Sequence, residues 1–264
     1  MKITLIRVYN FLYYTPAKYI ALALKLLKVP ARTESYIFMC DLSNNINFTY
    51  SLVGYRHFKN NYPAAEVETW NWLGKNLKES GAIIDVGANV GQFSLVASGI
   101  LKKNFPSFSD KLVLIEPSVR NFELLSRNSN NNKLNSIKLN CALGSKSESQ
   151  TLRIHEVYGR IDYRMQFNVQ TLDSLVVLLN LSSVQLIKID TDGHELSILK
   201  GGRSFLQKYR PTLIIEMNKS TAQQSGVDLY DIETELSSIN YIFTEVLDSE
   251  NFVYKFNVNS KNIE

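Results

Sequence analysis

Asp85 closes the apolar run Ile83-Ile84, and Glu116 closes a second run, Leu112-Val113-Leu114-Ile115, 31 positions further on. Between them lies Val86-Gly87-Ala88-Asn89-Val90-Gly91, with the composition of a tight turn. Phe93, Val96, Ala97, Ile100 and Leu101 then fall at i, i+3, i+4, i+7 and i+8, which is one apolar face of a helix. Strand, turn, helix, strand and acid in this order open a nucleotide-binding α/β domain, where the second acid reaches ribose hydroxyls. Asp190 and Glu216 end two more apolar runs, Val184 to Ile189 and Leu213 to Ile215. Strand ends of a doubly wound sheet face one cleft. Four carboxylates are therefore expected there.

The turn discriminates among adenosine-bearing ligands. A dinucleotide fingerprint carries glycine at three positions, one of which lets the backbone approach a pyrophosphate. The same register here reads Gly87, Asn89 and Gln92. Asparagine tolerates left-handed backbone better than most residues, so Asn89 keeps the turn without clearing space for a pyrophosphate. Asp85 would repel that group and suits a ligand with positive charge, such as the sulfonium and ammonium of S-adenosylmethionine. The turn favours the methyl donor over NAD.

The densest group of ionisable residues is Asp190-Thr191-Asp192-Gly193-His194-Glu195, at a strand-to-helix junction. A hydroxyl that attacks a methyl group must lose its proton, and His194 or Asp190 is of a type to take it. An unperturbed imidazole titrates close to neutral pH. The structural alternative has Asp192 and Glu195 complementing a helix N-terminus, with His194 on the surface. A cation held by Asp190, Asp192 or Glu195 is compatible with the sequence. However, His57, His155 and His194 are far apart, and Cys40 and Cys141 lack metal-type spacing, so no metal site is assigned.

The elements that must position these groups alternate along the chain. Pro63 begins a helix through Glu66, Trp70, Trp72 and Leu77, and strands follow at Ile83 to Val86 and Leu112 to Ile115. Ser118 caps a helix carrying Phe122, Leu124 and Leu125 that ends in the asparagine-rich stretch 128–132. Ile137 to Ala142 is a third strand, and Gln150 to His155 with Phe167 to Thr171 form extra strands or a hairpin. Strand Val184 to Ile189, a helix from His194 to Leu206, strand Leu213 to Glu216 and a helix from Asp228 to Ser238 complete the alternation. Tyr241 to Val246 and Phe252 to Phe256 read as a closing antiparallel pair. This pattern gives a mostly parallel, doubly wound seven-stranded α/β sheet with helices on both faces.

Residues 63–264 form this domain, and residues 1–62 form an N-terminal cap. In the cap, Asn44-Asn45 links strands at Tyr36 to Met39 and Ile46 to Tyr50, after a short helix from Tyr19 to Lys28. Arg7, Lys18, Lys25 and Lys28 interrupt the apolar N-terminal residues, so neither a spanning helix nor a signal peptide is expected; a peripheral membrane contact is compatible with the Lys25 and Lys28 helix. A net charge of +4 without like-charge runs gives no reason to expect nucleic acid. Two unpaired-looking cysteines fit reduced thiols and a cytoplasmic location.

Asp85-Val-Gly-Ala-Asn-Val-Gly91, Glu116-Pro117 with Asn128, Ala142-Leu143-Gly144, Thr171-Leu172-Asp173, Lys188-Ile-Asp-Thr-Asp-Gly-His-Glu195, Leu199-Lys-Gly-Gly202 and Pro211 before Glu216 recur in one order. Together, over residues 66–217, they closely resemble the FkbM family of S-adenosylmethionine-dependent methyltransferases. The resemblance implies a class I methyltransferase fold and O-methylation of sugars, polyketides or other small metabolites. It also implies that Asp85, Gly87, Asn89 and Gly91 line the methionine side, that Glu116 holds the ribose, and that residues 140–143, with Ala142, border the adenine. Val119 replaces a second proline common in the family, and Thr191-Asp192 replaces the common Val-Glu. Residues 1–62 fall outside the resemblance and are expected to influence substrate choice. A catalytically inactive binding module and a nicotinamide-dependent oxidoreductase are the rival readings.

Overall fold

The computed structural model describes residues 30–32, 37–39, 66–109, 111–155, 162–217 and 226–258. The chain divides into two compact units, residues 1–65 with 153–164 and residues 66–152 with 165–264. In the first, β1 (Pro30–Arg32) and β2 (Ile37–Met39) form an antiparallel pair. The strand expected from Tyr36 is thus present, but it pairs with Pro30–Arg32. The second expected strand, at 46–50, the 19–28 helix and Cys40 lie outside the described residues.

The second unit contains α1 (Val67–Asn76), β3 (Ala82–Val86), α2 (Gln92–Asn104), β4 (Leu112–Ile115), α3 (Val119–Asn131), β5 (Ser136–Leu139) and β6 (Ala142–Leu143). Strands β7 (Glu148–His155) and β8 (Asp162–Gln170) follow, their ends at 153–155 and 162–164 belonging to the first unit. Next come α4 (Leu175–Leu179), β9 (Val184–Ile189), α5 (Glu195–Lys200), α6 (Arg203–Tyr209), β10 (Thr212–Glu216), α7 (Leu229–Ser238), β11 (Tyr241–Leu247) and β12 (Asn251–Phe256). Seven strands form one sheet in the order β11-β12-β10-β9-β3-β4-β5. The pairs from β10 to β5 are parallel, and β12 is antiparallel to both β10 and β11. The chain winds outward from β3 to β5 and returns to β9 on the other side. The crevice at such a reversal is where ligands of doubly wound sheets bind.

The register sorts side chains between the two faces. Ile84, Val86, Val113, Ile115, Ile187, Ile189, Leu213 and Ile215 share one face and pack with Ile198, Phe205, Leu206, Ile232 and Leu236 of the covering helices. On the other face Asp85 lies opposite Lys188, and Glu216 lies opposite Asn251. Alternate residues of a strand share a face, so Asp190 joins Lys188. A row of polar groups thus crosses β3, β9, β10 and β12 where parallel strands are normally apolar on both sides.

Three elements differ from expectation. The long helix anticipated from His194 is two helices that break at Gly201-Gly202. A Cβ at Gly201 would stand 2.0 Å from the Gly144 carbonyl oxygen, and one at Gly202 would stand 2.8 Å from Leu172 Cδ2. The glycines permit that close packing and weaken the helix between them. The third strand ends at Leu139 rather than Ala142. Asn140 Nδ2 donates to the carbonyls of Glu116 (2.9 Å) and Pro117 (3.0 Å), and Ala142-Leu143 pairs instead with Val169-Gln170 in a separate three-stranded sheet. Helix α4 was not anticipated.

Helix α1 is anchored from a distance. Its N-cap residue Glu66 has φ 62° and makes no capping bond of its own. Asp248, in the β11–β12 turn, accepts from the backbone N–H groups of Glu68 (3.0 Å) and Thr69 (2.8 Å). The Glu68 carboxylate accepts from Asp248 N at 2.6 Å. The result is a capping box assembled from two remote segments. Asp248→Ala should lower stability by about 1–2 kcal/mol, the usual cost of a lost cap, and Asp248→Asn by less. Urea unfolding that shows no change for the alanine variant contradicts this anchoring role.

Candidate functional site

The turn after β3 is built from three left-handed residues, Gly87 (φ 80°), Asn89 (φ 49°) and Gly91 (φ 90°). Asn89 thus adopts the backbone that its residue type suggested. Gly87 has a specific reason to be glycine, because a Cβ there would lie 1.8 Å from the Asp190 carbonyl oxygen. The turn after β3 therefore rests directly on the end of β9. Gly91 caps α2, and a Cβ there would come within 2.7 Å of Leu125 Cδ1. From α3, buried Asn128 donates to the Val90 carbonyl at 2.6 Å, fixing the far side of the turn.

Glu116, at the tip of β4, is 5% exposed. Asn89 N donates to its Oε2 (2.9 Å) and Ser118 N to its Oε1 (2.8 Å). An ionised carboxylate accepts about four hydrogen bonds, so these two leave further acceptor capacity. Burial pushes the Glu116 carboxyl up to about 7 against the opposing effect of Ser118, Asn89 and Asn121 as donors. A buried acid with acceptor capacity beside a left-handed turn fits the donating hydroxyls of a ribose diol.

The centre of the polar row is Lys188, whose side chain is 4% exposed. Its Nζ lies 2.7 Å from Asp190 Oδ2, 3.4 Å from Glu216 Oε2 and 3.9 Å from Glu66 Oε1. The ammonium also stands 5.5 Å over the Phe93 ring. Burial alone would lower the lysine pKa; Asp190, Glu66, Glu216 and Asp85 outweigh it and hold the ammonium well above its ordinary value. Asp85 is 1% exposed and accepts from Ser94 Oγ at 2.6 Å. Burial raises it to about 6 although Lys188 and Ser94 oppose the shift. Glu216 rises to about 8 through burial and the neighbouring Asp190, despite Lys188.

Within Asp190 to Glu195 the residues divide their work. Glu195 is buried, and its Oε1 accepts from Thr191 N (3.0 Å), Thr191 Oγ1 (2.8 Å) and Gly193 N (3.2 Å). It holds the turn together, while Asp192 adopts φ 54° and points outward. His194 is the exposed N-cap of α5 and makes no side-chain capping bond. Asp190 keeps 33% of its side chain exposed beside buried Lys188. Asp85, Glu116, Asp190 and Glu216 thus gather at the ends of β3, β4, β9 and β10, whereas His194 stands one turn further out.

Ala142 belongs to β6, next to a cavity of about 450 Å³ lined by Leu139, Asn140 and Cys141 with Asn168, Gln170 and Ser174. Cys141 is a free, buried thiol that burial pushes up to about 11, so it is no nucleophile at neutral pH. The sequence alone assigns no role to Lys188 or Glu66. The available signal was a charge inside the apolar run of β9, because a central parallel strand has no water to give a lysine.

The fold is that of the class I S-adenosylmethionine-dependent methyltransferases. The methyltransferase FkbM domain matches residues 85–243, and the chain belongs to that family. Its cofactor is S-adenosylmethionine. The chain is similar to hexuronic acid methyltransferase AglP of Haloferax volcanii, 27% identical over 175 residues, which cover 64% of this chain and 66% of that protein. It thus spans just under two thirds of this curated relative. The crystal structure of methyltransferase FkbM from Methylobacillus flagellatus is similar in fold, with a TM-score of 0.51 and 18% identity over 78% of this chain and 54% of that one. Among the described residues no helix is long and apolar enough to cross a membrane.

The carboxyls give stability a definite pH dependence. A raised acid binds its proton more tightly when folded. Its contribution is complete below the unfolded values, 3.8 for Asp and 4.5 for Glu, and is lost as pH climbs through about 6 (Asp85), 7 (Glu116) and 8 (Glu216). The melting temperature should therefore fall from about pH 5 to about pH 8, and Glu216→Gln should flatten the upper part of that curve. A melting temperature that rises over this range is inconsistent with these buried acids.

Proposed function

We propose that this protein transfers a methyl group to a hydroxyl oxygen of a carbohydrate or similar small metabolite, with Asp190 as the proton acceptor. The observation that carries the reading is Asp190 itself, a partly exposed carboxylate at the switch-point end of β9, held by a buried ammonium. S-adenosylmethionine, when bound, supplies an electrophilic methyl group on a cationic sulfur. The chain's own part is to align a hydroxyl, accept its proton and exclude water. The left-handed turn from Gly87 to Gly91 borders the methionine end, Glu116 takes the ribose hydroxyls, and the cavity beside Asn140 and Ala142 offers room for the adenine. Asp85 acts through charge, since it is 1% exposed and lies beneath the turn beside Ser94 and Lys188.

A carbohydrate acceptor is supported by the relative named for hexuronic acid. Near Asp190, however, the described residues supply Glu66, Asp85, Asp192 and Glu216 around the buried cation Lys188. That balance favours an acceptor without its own carboxylate. Residues 1–62 are the segment in which selection among acceptors is expected.

Glu116→Ala should weaken S-adenosylmethionine binding tenfold or more, because charge-assisted bonds to ribose contribute roughly 1.5–3 kcal/mol each. Titration calorimetry measures this directly, and an unchanged dissociation constant would place the ribose elsewhere. Asp190→Asn should lower methyl transfer by about 10²–10⁴-fold, the usual cost of a lost general base, with cofactor affinity within a few-fold of the parent. His194→Ala should have the smaller effect, given its exposure. Should Asp190→Asn methylate at the parental rate on an identified acceptor, the proton goes elsewhere.

A further inference from the structure

Asp190 does not stand alone. The register that pairs Ile189 with Ile215 brings Asp190 alongside Glu216, and Lys188 Nζ contacts both, at 2.7 and 3.4 Å. Both carboxyls remain partly exposed, at 33% and 24% of their side chains, whereas the lysine between them is 4% exposed. Buried charge pairs contribute little net stability compared with apolar packing, and the opposite face of these same strands is packed with isoleucine and leucine. A mere structural strut does not need two acids held at the rim of the cleft by an ammonium beneath them.

We propose that Lys188 is a positioning residue for methyl transfer: it bridges Asp190 and Glu216 into one pair that receives the acceptor's proton next to the transferred methyl group. The inference rests on the methyltransferase reading above. The proton of the acceptor hydroxyl passes to the pair as the new oxygen–carbon bond forms and the carbon–sulfur bond breaks, its electrons staying on sulfur. The pair then returns the proton to water through its exposed edge.

Two like charges held on one ammonium do not both ionise readily, which favours a proton shared between the two acids. The raised Glu216 carboxyl agrees with that sharing. Each packed element adds a group facing Lys188: Glu66 from the head of α1, Asp85 from β3, Asp190 after β9, Glu216 from β10 and the Phe93 ring from α2. Asp248 in the β11–β12 turn acts on Glu66 in turn. Fixed by these neighbours, the ammonium sets both the spacing of the two acids and the pH at which their shared proton leaves.

The test is a carboxyl titration by NMR on the full chain, with Asp and Glu side chains labelled with ¹³C. It is run with saturating S-adenosylmethionine and, separately, with its demethylated product S-adenosylhomocysteine. The two ligands differ by one methyl group and one positive charge on sulfur. A pair beside that sulfur should titrate roughly one pH unit lower with the cationic ligand. Lys188→Met should move the same titration upward, Lys188→Arg should restore it in part, and Asp190→Asn should bring Glu216 down towards the ordinary range. Identical titrations with both ligands would show that the pair is remote from the methyl group. A Glu216 titration unaffected by Asp190→Asn would show that there is no pair. If Lys188→Met does not fold, the parent, Lys188→Arg and Asp190→Asn still decide the matter. Failure of both ligands to bind would instead overturn the methyltransferase reading of this site.

Discussion

An ammonium taken out of water is stable inside a protein only where anions replace its hydration shell. Lys188 imposes that requirement on the strand ends of this sheet. Asp85 meets it from β3, Asp190 from the end of β9, Glu216 from β10, and Glu66 from the residue that opens α1. Removing the lysine would leave four carboxyls crowded within one partly dry pocket, each raising the others. The constraint works in both directions, because the acids need the cation as much as it needs them. The head of α1, the switch point of the sheet and the closing hairpin are therefore tied together at one end. Asp248 secures the same place by capping α1 from the hairpin.

Much of this arrangement can be read from local sequence, and the rest fails for identifiable reasons. Strand-terminal acids are legible because an apolar β-branched run that stops at Asp85, Glu116, Asp190 or Glu216 gives both the strand and its end. The turn was legible because Asn89 is among the few non-glycine residues comfortable at φ 49°. Lys188 was less legible. Lysine within Leu186-Ile187-Lys188-Ile189 resembles a side chain that snorkels to water, and only the placement of β9 between β3 and β10 removes that escape. The capping of α1 by Asp248 joins residues 180 positions apart, and no local pattern announces it.

The misjudged boundaries share one physical origin. The periodicity of residues 194–206 continues through Gly201-Gly202, but tertiary approach of the Gly144 carbonyl to Gly201 decides the break. The apolar pattern of residues 137–142 likewise continues past Asn140. That side chain instead bonds the backbone after β4, and the chain leaves the sheet for a different partner strand. At Asn140 a bond to a distant backbone outweighs strand propensity, whose whole scale spans only about 1 kcal/mol, whereas at Gly201-Gly202 the distant contact adds to the roughly 1 kcal/mol that each glycine costs a helix.

The close approach of Gly87 to the Asp190 carbonyl has a consequence for how such a site keeps its alignment. The turn proposed to border the cofactor and the turn carrying the proposed proton acceptor touch through backbone atoms, with no side chain between them. Glu195 stiffens the second turn by collecting Thr191 and Gly193 on one oxygen, and Asn128 stiffens the first through Val90. Each turn is thus braced from its outer side and pressed against the other on its inner side. Methyl transfer depends on holding oxygen, carbon and sulfur in line, where small misplacements cost large factors in rate. Two turns bearing on each other without a side chain between them hold that distance with fewer rotatable bonds than any pair of facing side chains. Glycine at position 87 is the residue that allows it.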